Sequence, residues 1–125
     1  MTTSAAHAAA FRRELPDAGE VWTVVEDGFY IAPHKRDGQR AVPFWSRQSR
    51  AEKVVARVPA YAGLAVISIP LEDWLGDLLP WLAEREILVG VNWSGNRATG
   101  FDVHPRQVID WFVPKPPVGL LEGVD

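Results

Sequence analysis

Apolar positions in this chain switch repeatedly between helical and strand-like spacing, and the switches mark out its elements. Residues Ser4 to Leu15 are alanine-rich, with Ala8, Phe11 and Leu15 on one face, and predict a helix stopped at Pro16. Val21 to Val25 and Phe29 to Ala32 are short runs of β-formers. Asp27-Gly28 between them predicts a tight hairpin. Ala41 to Trp45 predicts a third strand. Ala51, Val54, Val55 and Val58 then fall at i, i+3, i+4 and i+7, a helical stripe. Ser49 and Glu52 fit a capping box at its start, with Ser46 as an earlier starting point.

Leu64 to Ile69 is apolar enough to predict a central strand. Pro70 suits the first turn of a helix whose apolar face runs from Leu71 and Trp74 to Leu82, with a break or kink expected at Pro80. Ile87 to Trp93 predicts another central strand, Ser94-Gly95-Asn96 a turn, and Thr99 to Val103 its hairpin partner. His104 is placed to cap a last helix that begins at Pro105 and turns Val108, Ile109, Trp111 and Phe112 inward. Pro114, Pro116 and Pro117 end it. The order is α-β-β-β-α-β-α-β-β-α. It predicts an α+β fold with a single mixed, mainly antiparallel sheet of about five or six strands and helices packed mainly on one face. The chain reads as one domain over 1–125, with a core over 20–112, an N-terminal helix within 1–16 and a proline-rich tail over 113–125.

Composition narrows the chemistry. The absence of cysteine excludes disulfides, thiolate metal sites and cysteine nucleophiles. Met1 to Ala10 lacks the pattern of a secretory signal. The longest uncharged stretch, Val58 to Leu71, is too short to cross a bilayer, so a cytoplasmic protein with no membrane association is expected. A net charge of −3 argues against general nucleic-acid binding. The charge is nevertheless divided. Residues 34–57 carry seven Lys or Arg against Asp37 and Glu52, whereas residues 70–86 carry five acids against Arg85. Such a division reads first as two solvated helix faces of opposite sign, and alternatively as a dipolar surface that favours a charged partner.

Motifs for catalysis are absent. There is no phosphate-binding glycine loop, no dinucleotide fingerprint and no serine elbow around Ser94. His7, His34 and His104 are too far apart in sequence for zinc-site spacing, and no metal or cofactor is expected. Folding that gathered His34, His104 and Asp102 would be needed to make an acid–base site. Glu72, Asp73 and Asp77 read as a solvated helix face. Of six tryptophans, Trp74, Trp81 and Trp111 fall on apolar helix faces and are expected in the core. Trp22, Trp45 and Trp93 fall on strands or strand ends, where they close the core or line a pocket.

Three stretches carry a resemblance. They are Phe44-Trp45-Ser46 leading into Arg50-Ala51-Glu52, then Ile69 to Leu75, then Ile87 to Trp93 followed by Gly100-Phe101-Asp102-Val103. Together they resemble the bacterial Domain of Unknown Function 2750 family over about residues 20–112, with Pro70 as a departure. The resemblance implies a bacterial α+β domain and carries no catalytic residues. Read physically, Gly90 admits a neighbouring backbone or ring, Gly100 does the same or forms a bulge, and Asn92 bonds the adjoining turn.

Two functional expectations follow. The first is a non-catalytic binding or protein-interaction domain, adaptor-like or immunity-like, working through the charge-divided surface. The second is a small-molecule binder or small enzyme with a pocket near Trp45, Asn92, Trp93 and Asp102. A homodimer through a sheet edge or through Val118, Leu120 and Leu121 is a third expectation for assembly.

Overall fold

The computed structural model describes residues 3–35 and 37–112, so the tail with Pro114, Pro116, Pro117, Val118, Leu120 and Leu121 lies outside the described residues. Helix α1 (Thr3–Ala18) passes through Pro16, which sits exposed in the last turn. The helix ends instead at Gly19, whose N–H bonds the Leu15 carbonyl at 3.0 Å and whose φ is +70°. Strands β1 (Glu20–Glu26) and β2 (Phe29–Tyr30) form the hairpin around Asp27-Gly28, both residues with positive φ. After β3 (Ala41–Phe44), helix α2 (Gln48–Arg57) buries Ala51 and Val54. Its expected capping box does not form. Arg47 is the capping residue without a side-chain bond, and Glu52 pairs with Gln48 instead.

Strand β4 (Ala65–Pro70) pairs only with β1, as an edge strand rather than a central one. Helix α3 covers 71–84 without a break at Pro80. It contains a widened π-turn over Trp74–Leu78, where the Leu79 N–H bonds the Trp74 carbonyl. That extra residue rotates the inner face, so Trp74, Leu79 and Leu82 are fully buried. Trp81, expected in the core, is turned outward with 43% of its surface exposed. Strands β5 (Leu88–Ser94) and β6 (Thr99–Val103) follow, then α4 (Pro105–Phe112). His104 caps α4 as expected, its Nδ1 accepting the Arg106 N–H at 3.2 Å.

The expected single sheet is two three-stranded sheets, ordered β2-β1-β4 and β3-β5-β6. They touch through one antiparallel bridge, Trp22 to Trp45, with both N–H···O bonds at 2.8 Å. The reason is local. The next antiparallel pair on that ladder would be Val24 with Pro43, and Pro43 has no N–H to give. The Thr23 hydroxyl donates to the Pro43 carbonyl at 2.7 Å instead, satisfying a group the ladder leaves free. Within the second sheet, β3 runs parallel to β5 and β6 antiparallel to it.

Alternation along the strands feeds two cores. Val21, Val42, Phe44, Val89 and Val91 pack with Phe11 and Leu15 of α1, Trp74, Leu79 and Leu82 of α3, and Val108 of α4. Trp74 is held edge-on by Phe11, Phe44 and Phe112. On the opposite face Val24, Ala41, Trp45 and Trp93 pack with Ala51 and Val54 of α2. Among the described residues no helix is long and apolar enough to cross a membrane.

Candidate functional site

The four residues singled out from sequence gather around one irregularity in β5. The β5–β6 register shifts between Val91 and Ser94, and Asn92 adopts φ +47°, a conformation asparagine tolerates better than most residues. The bulge lays the Trp93 indole back over Gly90. A Cβ on Gly90 would stand 2.5 Å from Trp93 Cζ2 and 2.6 Å from Nε1, and one on Gly100 would stand 3.0 Å from Cδ1. Both glycines are therefore the ring's footprint, and the expectation that they admit a close neighbour holds.

The indole is held at its polar end too. Trp93 Nε1 donates to Asp102 Oδ1 at 2.8 Å, and Asp102 Oδ2 meets the Lys35 ammonium. Trp45 is fully buried behind Trp93 and donates Nε1 to the Trp93 carbonyl at 2.8 Å. Asn92 does not bond the adjoining turn as expected. Its Oδ1 accepts the Ser46 N–H at 3.0 Å, and its Nδ2 donates to the Ser46 hydroxyl at 3.1 Å and to the His7 carbonyl at 3.3 Å. One buried amide thus ties β5 to α1 and to the start of α2.

Sequence reasoning missed the hub next to it. Glu14 of α1 accepts the Ser46 hydroxyl at 2.6 Å and contacts Arg50 at 3.1 Å and Arg47 at 3.2 Å. Burial works to raise the Glu14 carboxyl, but the Ser46 bond and the Arg50 and Arg47 charges outweigh it and hold its pKa below the ordinary value. Glu14 flanks the Phe11 and Leu15 face of α1, and only the fold brings it to residues more than thirty positions away.

Two concavities flank Trp93. One, of about 570 Å³, is walled by α2 and by the turn after β5. Arg47, Arg50, Lys53 and Arg57 line it, with Asn92 and Trp93, and its lining contains no carboxylate. Lys53 and Arg57 have no ion pair among the described residues. The other, of about 1010 Å³, opens between the two sheets and is lined by Tyr61, Trp93, Lys35 and Asp102 among others. Burial pushes the Tyr61 phenol up to about 12, keeping it a neutral donor. Trp45 lines neither concavity. His34 and Asp102 share the larger one, whereas His104 lies outside its lining and is committed to its helix cap.

The family model described as protein of unknown function (DUF2750) matches residues 8–111, and the chain belongs to that family. No curated protein matches it.

Proposed function

We propose that this member of the DUF2750 family is a non-catalytic interaction domain that takes an acidic segment of a protein partner in the basic concavity beside α2. The observation that carries the reading is the lining itself: four cations and no carboxylate around a recess floored by Asn92 and Trp93. Arg47 and Arg50 share the single carboxylate of Glu14, which leaves Lys53 and Arg57 as the lining cations without an ion pair among the described residues. They stand one helical turn apart and exposed, a spacing suited to successive carboxylates on an extended partner. The acidic residues of α3 add repulsion elsewhere, so the divided surface favours one approach over others.

The groups that converge on the recess are committed to structural bonds, which is the ground for a binding role over a catalytic one. Asn92 holds Ser46 and His7, and the Trp93 indole N–H is given to Asp102. The test is fluorescence anisotropy with a labelled peptide of Glu, Asp and Gly. Binding should weaken steeply between about 0.1 M and about 1 M salt, over which the screening length falls from about 10 Å to about 3 Å. It should be lost in Lys53→Glu/Arg57→Glu and kept in Arg13→Glu, which lies outside the recess. Equal loss in both variants would sink the assignment.

A second reading rests on the size of the intersheet cleft, about 1010 Å³ with the buried rings of Tyr61 and Trp93 in its wall. That volume suits a small organic ligand. A compound that raises the melting temperature of the native chain but not of Asp102→Asn would favour it.

A further inference from the structure

The acidic half of the surface carries a second feature. Four large hydrophobic side chains among the described residues are conspicuously exposed, and three of them line one groove. Phe29, 75% exposed, and Tyr30 come from the β1–β2 hairpin. Trp81 comes from α3, turned outward by the π-turn, and Leu78 lies one helical turn before it. The recess is about 560 Å³, and its charged lining consists of Asp73 and Asp77 alone. Neither aspartate has an ion pair among the described residues. Apolar surface gathered in one place and rimmed by polar groups marks an interaction site more often than scattered exposure does.

We propose that this groove docks a basic, amphipathic segment of another protein, its apolar side chains on Phe29, Tyr30 and Trp81 and its cations on Asp73 and Asp77. Charge selects this occupant. The charged lining residues are both acidic, and the Arg85 guanidinium, 3.9 Å from the Trp81 centroid, shows that this ring accepts a cation. The chain's own residues 113–125 have the wrong sign for the rim, with Lys115 against Glu122 and Asp125. The groove shares no lining residue with the basic recess beside α2. The proposal therefore stands independently of that reading, and together the two would make the domain a bridge between partners of opposite charge.

The probe is a labelled peptide with Leu and Lys at helical spacing, measured by anisotropy against the intact chain. Saturable binding is expected, weakened about tenfold or more by Phe29→Ser and by Asp73→Asn/Asp77→Asn. It should be unchanged by Lys53→Glu/Arg57→Glu, the pair that tests the other face. Phe29, Asp73 and Asp77 are exposed, so these variants leave the core intact. Absence of binding, or binding insensitive to the groove variants, overturns the proposal. So does self-association of the native chain that Phe29→Ser abolishes in sedimentation, because the occupant is then a second copy.

Discussion

Replacing Gly90 with alanine tests how the Trp93 ring is positioned. Gly90 has an ordinary strand backbone, so alanine brings no φ penalty and on conformational grounds would even stabilise the strand. The new methyl carbon, however, would lie 2.5 Å from Trp93 Cζ2 and closer still to Cε2, where about 3.5–4.0 Å is comfortable. The indole must shift, and overpacking of this kind costs about 1–3 kcal/mol. A shifted ring also loses the bond from Nε1 to Asp102, and hydrogen bonds to charged groups contribute about 1.5–3 kcal/mol. A combined loss of about 3 kcal/mol lowers the melting temperature by about 12 °C, since a chain this long loses about 4 °C per kcal/mol. Calorimetry or thermal circular dichroism reads it directly. The decisive arm is the double-mutant cycle with Trp93→Phe, which removes the atoms that the methyl group meets. In that background Gly90→Ala should cost at least about 1 kcal/mol less. An equal cost in both backgrounds would refute the ring-footprint account.

Other consequences are equally open to measurement. Asn92→Ala strands the buried Ser46 N–H and removes the second bond to the His7 carbonyl, and should destabilise by about 2 kcal/mol in urea titration, with Asn92→Asp no rescue because it lacks the donor to His7. Glu14 has a lowered pKa in the fold, so its stabilisation is present above the ordinary value near 4.5 and lost as pH falls through the lowered one. Glu14→Gln should accordingly flatten the acid side of a stability–pH curve, and an unchanged slope would count against the hub. Tyr61 is shifted the other way. Its contribution is intact below pH 10.0 and disappears as pH rises through about 12, which Tyr61→Phe should abolish and phenolate absorbance should track.

Element order was legible because each element has its own period or punctuation, and the order α-β-β-β-α-β-α-β-β-α is the one found. Where the reading failed, a single residue usually decided the matter. Pro43 sits inside a run that reads as a strand, and its missing N–H faces the one neighbour that would have joined the two sheets. Pro80 was read as a break or kink, and the irregularity takes the form of a wider turn just before it, which moves Trp81 from the expected inner face to the surface. The candidate site was legible in part. Gly90 announced a close neighbour, and the Gly-Val-Asn-Trp stretch pointed to the right strand end. The bonds that organise it, Glu14 to Ser46 and Asn92 to His7, span 32 and 85 positions, and no local pattern encodes them. The bulge at Asn92 was hidden for a similar reason, because it exists only in the pairing with β6.

The central claim is that the basic recess beside α2 is a binding face for acidic protein. Amide NMR of the intact chain, titrated with the Glu/Asp peptide at low salt, tests it most directly. The account predicts that signals of Arg50, Lys53, Arg57 and Ser94 to Asn96 move together and saturate, with those of Phe29, Asp73 and Trp81 still. Movement centred on the groove of Phe29 and Trp81, or uniform small shifts over all cationic residues, would contradict it.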